Sequence, residues 1–242
     1  TRKLTTLSWR KCNLRVSVIT FPGSNCDHDA YEAFATRGHQ ANLIWHKDHD
    51  LQHPDVVILP GGFSYGDYLR CGALARFSPI VKEVIDFAHR GGLVMGICNG
   101  FQILTESGLL PGALLMNAHL KFICRHQYIR VETANSPFSK ELEPGTVLDI
   151  PIAHKEGNYF IDEDGLKRLQ DKDMILFRYC NAKGELTDNP NGAIDNIAGI
   201  ISEKRNVLGM MPHPERAATD SVSSQDGRKI FEAIERYFDA GN

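Results

Sequence analysis

The fold turns on the stretch Leu93-Val94-Met95-Gly96-Ile97-Cys98-Asn99-Gly100-Phe101-Gln102. Leu93 to Ile97 is a short, nearly continuous apolar run, the pattern of a strand buried on both faces. Gly100 to Ser107 then has helical spacing, with Leu104 on its inner face. Between them Gly96-Ile97-Cys98-Asn99-Gly100 has the form of a nucleophile elbow, with sulfur in place of a serine oxygen. A residue on so sharp a turn is forced into strained backbone angles, and glycines two positions to either side let helix and strand approach. The side chain then projects into the crevice above the sheet. Beneath it the helix amino terminus, through its free N–H groups and dipole, favours negative charge. Cys98 is the candidate nucleophile, and the other five cysteines (12, 26, 71, 124 and 180) are expected to be ordinary buried or surface thiols.

Working outward, Arg15 to Thr20 reads as a strand that ends at Phe21-Pro22-Gly23-Ser24, and Asp27 to Arg37 reads as the helix after it. Ala41 to Trp45 and Asp55 to Leu59 are further strands, the latter stopping at Pro60-Gly61-Gly62. Ile80 to Ala88 has the broad apolar face of a helix packed on a sheet. This alternation predicts an α/β fold with a mostly parallel central sheet flanked by helices, right-handed crossovers, and ligands at the carboxyl ends of the strands. From Leu120 to Leu148 and from Met174 to Met211 the strands shorten and turn signals multiply, so an antiparallel extension is expected there. Gln225 to Phe238 closes the chain as an amphipathic helix. One domain over residues 14–242 is expected, preceded by an N-terminal extension, residues 1–13, that is basic but lacks the apolar run of a secretory signal.

The composition, 42% hydrophobic and 24% charged over 242 residues, is that of a globular protein and excludes a disordered tail, a fibre or a coiled coil. Twenty-seven Lys and Arg against 30 Asp and Glu, without blocks, leave no basic stripe for nucleic acid or an anionic membrane. The longest apolar runs fall far short of the ~20 residues that span a bilayer. Six cysteines without a C-x-x-C pair argue against a zinc site or a redox dithiol, so no metal is expected and the thiols read as reduced, in a cytoplasm.

A thiol nucleophile needs a base and a group to orient it. Leu208 to Met211 reads as another strand, followed at its carboxyl end by Pro212-His213-Pro214-Glu215. If the chain stays extended there, His213 and Glu215 point the same way, and the imidazole lies between thiol and carboxylate in the manner of a triad. Acyl transfer also needs oxyanion donors. The backbone N–H near Gly62, at the end of an adjacent strand, and that of Asn99, next to the nucleophile, are the candidates.

Taken together these residues resemble the class I (triad) glutamine amidotransferases, whose fold is flavodoxin-like, over about residues 14–240. Within them Phe21-Pro22-Gly23-Ser24-Asn25-Cys26-Asp27, Pro60-Gly61-Gly62-Phe63-Ser64-Tyr65-Gly66-Asp67-Tyr68-Leu69, Cys98-Asn99-Gly100-Phe101-Gln102 and Met211-Pro212-His213-Pro214-Glu215-Arg216 closely resemble the glutaminase subunits of phosphoribosylformylglycinamidine synthases. The resemblance implies that glutamine is hydrolysed to glutamate and ammonia through a Cys98 thioester, with His213 and Glu215 completing the triad. It implies glutamine contacts at Gln102 and in the segment His154-Lys155-Glu156-Gly157, here His154 and Gly157, with Lys155 standing where the family commonly has glycine. It further implies a large synthetase subunit that uses the ammonia, with ATP and magnesium, to make formylglycinamidine ribonucleotide for purine synthesis, and a small third subunit. This chain has no G-x-x-x-x-G-K-[ST] loop, in keeping with no cofactor of its own. The alternatives are a glutaminase for another synthetase, or an independent cysteine hydrolase of the same fold.

Overall fold

In the computed structural model, which describes residues 12–67, 70–219 and 224–241, the apolar runs of the first half become buried strands side by side. These are β1 (Arg15–Thr20), β2 (Gln40–Trp45), β3 (Val56–Leu59) and β4 (Leu93–Ile97). Every residue of β3 and β4 is buried, as a strand covered on both faces requires. The crossovers are α1 (Asp27–Ala35) and α2 (Pro79–His89), and α3 (Asn99–Glu106) follows β4. β5 (Ala113–Leu115) and β8 (Asn158–Phe160) form a small separate ribbon.

The second half supplies β6 (Ile123–Val131), β7 (Val147–His154), β9 (Ile175–Cys180), β10 (Ile197–Ile201) and β11 (Val207–Met210). One nine-stranded sheet results, in the order β2-β1-β3-β4-β11-β10-β9-β6-β7. The first five are parallel to one another, and β10, β9, β6 and β7 continue as antiparallel neighbours. The expected core and extension are both present, with a correction at their border. β11 lies in the stretch expected to be antiparallel, yet it pairs parallel with β4, Gly209 opposite Gly96. Strand direction depends on a partner more than 100 residues away, which local turn signals do not report.

Among the described residues two further α-helices follow, α4 (Glu163–Asp171), which the sequence reading did not anticipate, and α5 (Arg228–Asp239). α4 is capped by the Asp162 side chain, which accepts from the Gly165 N–H at 2.8 Å, and it buries little beyond Leu169. α5 is tied to the α1 end by Glu235, which takes a bidentate pair of hydrogen bonds from Arg37 at 2.7 and 2.8 Å. Of the N-terminal extension, residues 1–11 lie outside the described residues. Cys12 donates its backbone N–H to Asp239 at 2.9 Å.

Candidate active site

The parallel strands bring the ends of β1, β3, β4 and β11 to one edge, where the candidate residues meet. Cys98, between β4 and α3, has φ 51° and ψ −103°, the strained conformation expected of an elbow. Its flanking glycines are there for approach. A Cβ on Gly100 would stand 1.9 Å from the Leu59 carbonyl oxygen, and one on Gly96 2.6 Å from the Gly100 carbonyl oxygen. The Cys98 N–H donates to the Met210 carbonyl at 2.8 Å, locking the elbow to the end of β11, and its thiol lies 3.7 Å from the Ala153 carbonyl.

From that end of β11 comes His213, 2% exposed, whose Nδ1 stands 2.6 Å from Oε1 of the buried Glu215. The contact was expected from an extended chain. Instead Pro214–Ala217 is a 3-10 turn, because Pro214 at its first position presets a helical φ and carries no N–H to satisfy. Hydrogen bonding to the carboxylate assigns the Nδ1 proton and leaves Nε2, which has no protein partner, free for the reaction. Burial by itself lowers the imidazole pKa, but the Glu215 carboxylate and the thiols of Cys98 and Cys26 outweigh it and hold it well above the ordinary histidine value. Gly61 makes room for the ring: a Cβ there would lie 2.6 Å from its Cε1.

Cys26, unremarked as a functional residue in the sequence, borders the same imidazole. Cys26, His213 and Glu215 present donor atoms within 4.8 Å of one another, and two of the three are already paired as histidine and carboxylate. Burial pushes the Cys26 thiol up, and it donates to Asn25 Oδ1 at 3.0 Å.

Cys98 opens on two cavities. One of about 210 Å³ is bordered by Asn25, Cys26, Cys124, His213 and Arg216. The other, about 260 Å³, is bordered by Asp67, Cys71, Gln102, His154 and Glu156. Gly62, with φ 149°, borders both, and Asn99 is the first residue of α3, whose N–H has no intrahelical acceptor. The two expected oxyanion donors thus lie beside Cys98. The Asn99 side chain does more than was expected of it. It accepts from the Ser64 N–H at 3.2 Å and donates to Gln102 Oε1 at 2.8 Å, and Gln102 Nε2 donates to the Glu156 carbonyl at 2.7 Å. Two loops are tied to the first turn of α3 around the larger cavity. Gln102 is on its wall, with both ends of its amide engaged in that chain.

His154 also lines the larger cavity, while Gly157 stands behind it: a Cβ there would meet the His154 ring at 2.4 Å. The fully buried Asn117 decides the state of His154. Asn117 Nδ2 donates to the carbonyls of Lys121 and His154 at 2.8 and 3.0 Å, so its Oδ1 is the acceptor for the Gly157 N–H and for His154 Nδ1, both at 3.1 Å. Nδ1 therefore carries the hydrogen and Nε2 is a bare acceptor without a partner. Burial lowers the His154 pKa to about 3, so the ring is neutral. Asp67, Cys71 and Glu156 border this cavity and Asn117 braces its wall; none of the four was named as a candidate site residue, since the contacts that gather them join loops distant in sequence.

Comparison with known proteins agrees with this architecture. Residues 13–238 match the CobB/CobQ-like glutamine amidotransferase domain. The chain is 55% identical to phosphoribosylformylglycinamidine synthase subunit PurQ of Koribacter versatilis, over 91% of this chain and 97% of that protein. Its identity to the subunit of the same name from Synechocystis is 56%, over 88% and 97%. In a solved structure of PurLQS from Thermotoga maritima, one chain superposes with TM-score 0.83 at 42% identity, covering 94% of this chain and 100% of that one. The chain belongs to the glutamine amidotransferase family, among the PurQ subunits of phosphoribosylformylglycinamidine synthase.

Proposed function

We propose that this chain hydrolyses glutamine and delivers the ammonia to a synthetase subunit that converts formylglycinamide ribonucleotide to formylglycinamidine ribonucleotide in purine synthesis. The observation that carries the chemistry is the free Nε2 of a buried, Glu215-paired His213 beside an elbow cysteine that opens on a cavity. The Cys98 sulfur attacks the side-chain amide carbon of glutamine as its thiol proton passes to His213 Nε2, and the tetrahedral oxygen turns toward the Gly62 and Asn99 N–H groups. As the C–N bond breaks, His213 gives its Nε2 proton to the departing nitrogen and ammonia leaves. Water then attacks the thioester, passing a proton to His213. The C–S bond breaks as His213 returns that proton to the sulfur, and glutamate and the thiol are released.

The relatives bear on the partner. Their name is that of a synthase subunit, and the Thermotoga assembly combines several subunits. The large subunit would handle ATP and magnesium, a small third subunit would complete the complex, and this chain would need no cofactor of its own. No described helix is long and apolar enough to cross a membrane, and a place in the cytoplasm suits six free cysteines.

The test is glutamate release from glutamine by this chain, alone and with the synthetase subunits, formylglycinamide ribonucleotide, ATP and magnesium. Strong stimulation that vanishes in Cys98→Ala, while free ammonia still supports synthesis, is the expected result. High activity alone without stimulation would point to an independent hydrolase instead.

A further inference from the structure

The loop that carries Gly62, the expected oxyanion donor, is held from two sides, and one of them lies outside the site. After β3 this loop, residues 60–67, passes Cys98 and then turns sharply. Tyr65 (φ 54°, ψ 27°), Gly66 (φ 69°, ψ 21°) and Asp67 (φ 55°) are left-handed in succession. Only glycine adopts that conformation freely, so Tyr65 and Asp67 are kept there by their surroundings. On the near side the Phe63 and Tyr65 N–H groups donate to the Gly23 and Pro22 carbonyls at 2.9 and 2.7 Å, and the Ser64 N–H donates to Asn99. The side chains of Ser64 and Asp67 hold little: Ser64 Oγ and Asp67 Oδ1 are buried without a hydrogen-bond partner.

The far side is a closed triangle of polar groups. Tyr65 Oη stands 2.8 Å from His46 Nδ1 and 2.9 Å from Ser78 Oγ, and those two are 3.2 Å apart. Both His46 and Ser78 are buried. His46 is fixed at the end of β2, where its N–H donates to the Thr20 carbonyl at 3.0 Å and its own carbonyl accepts from the Ile80 N–H at 3.3 Å. Its ring meets that of Tyr65 edge-on at 5.4 Å, and the Phe21 ring, next to the Pro22 that holds the loop, lies 6.3 Å away.

Ser78 shows a local rule giving way at this point. It is the N-cap of α2, where a serine hydroxyl ordinarily accepts from the first N–H groups of the helix, yet its side chain makes no cap bond. The hydroxyl is turned to Tyr65 and His46 instead. His46 likewise leaves Nε2 buried without a partner. Local stabilisation is forgone in this way where a functional group must be placed.

We infer that Tyr65, His46 and Ser78 are positioning residues for the oxyanion loop: the triangle fixes Tyr65, and through it sets the Gly62 N–H for the tetrahedral intermediate. The inference rests on the glutaminase reading and adds three residues, none of which borders either cavity at Cys98. A shifted loop weakens the intermediate more than bound glutamine, because the negative charge gathers only in the former.

The experiment uses the assembled complex and Tyr65→Phe, which removes one hydroxyl and keeps the ring. The kcat of glutamate release should fall about 10- to 100-fold, with the KM for glutamine within about threefold of wild type. Alkylation of Cys98 by iodoacetamide displaces iodide and forms no oxyanion, so its rate should stay the same. The open-chain aldehyde of glutamate γ-semialdehyde adds the Cys98 thiol to give a hemithioacetal with its oxygen in the same hole. Its inhibition constant should rise by the factor lost in kcat. Ser78→Ala should repeat the pattern, and the double variant should be no worse than the more damaged single one, since both changes open one triangle. If Tyr65→Phe does not fold, Ser78→Ala carries the same test. Unchanged kcat, a rise in KM alone, an unchanged aldehyde constant, multiplying losses in the double variant, or an equal fall in turnover and alkylation overturns the inference. Absence of glutaminase activity in the wild-type complex would instead overturn the reading beneath it.

Discussion

The molecule makes the same local construction twice, and only one copy is built to react. Both β1 to α1 and β4 to α3 run from a buried strand through a short loop into a helix, and both place a cysteine at the residue before the helix. Both thiols act on His213. Cys26, however, has φ −115° and ψ 11°, is 1% exposed, and faces a helix whose first turn already holds Asp27 and Asp29. Those carboxylates cancel the positive end of α1. The first turn of α3 has no acidic residue, and the left-handed backbone of Cys98 pushes its sulfur to the border of two cavities. Nearness to a base is therefore not what distinguishes the proposed nucleophile, Cys98. The backbone conformation and the uncancelled helix terminus do that.

The largest expected effect tests this asymmetry directly. Cys98→Ala should lower glutamine-dependent turnover by about 10⁴-fold or more, measured as glutamate release in the complex, with ammonia-dependent synthesis intact. Substantial residual turnover would mean that the second thiol can substitute, and the contrast would fail.

Glu215→Gln comes next, with an expected loss of about 10³-fold in kcat because the imidazole loses the carboxylate that orients it and stabilises its charge. The pH dependence has a definite sign. The folded-state pKa of His213 is raised, so the stability due to its charged form is present in full below the unfolded value of about 6.5 and is lost as pH rises through the folded value. The difference in unfolding free energy between wild type and Glu215→Gln should therefore be about 3 kcal/mol near pH 6 and shrink as pH rises. A difference that grew with pH would show that His213 is neutral in the folded protein.

Gly61→Ala sharpens the comparison from the side of the shared base. Its new methyl would press on the ring at 2.6 Å from Cε1 and on the Cys26 sulfur at 3.1 Å. Displacing His213 should cost about 100-fold in kcat, with about 1–3 kcal/mol of stability lost to overpacking. Wild-type turnover would mean that the ring position tolerates a shift, and His213 would lose its place as the positioned base.

What could be read beforehand follows from what is local. The strand, turn and helix around Cys98 show in ten residues, because apolar runs and close-approach glycines are properties of neighbouring positions. His213 and Glu215 stand two residues apart, so their pairing was legible even though the turn between them is 3-10 rather than extended. α4 was hidden because it is mostly charged and buries one residue, leaving little apolar periodicity. Asp67, Asn117 and Glu156 come from loops far apart in sequence. Their meaning lies in which polar atoms the fold leaves without partners, and no spacing rule reports that.

The smallest expected effect decides what Cys26 is for. Its thiol is one of the groups that raise the His213 pKa, but it ranks after Glu215 and Cys98 in doing so. Burial pushes its own pKa up, so it stays protonated and does not compete for the substrate carbon. Cys26→Ala should therefore lower kcat by less than about tenfold, reduce stability by about 1 kcal/mol through the small void left behind, and leave iodoacetamide labelling at Cys98 undiminished. The His213 pKa should move down slightly, which histidine NMR titration would detect. A loss near that of Cys98→Ala would make Cys26 a second working member of the site. An unchanged His213 titration would instead reduce it to packing beneath Gly61.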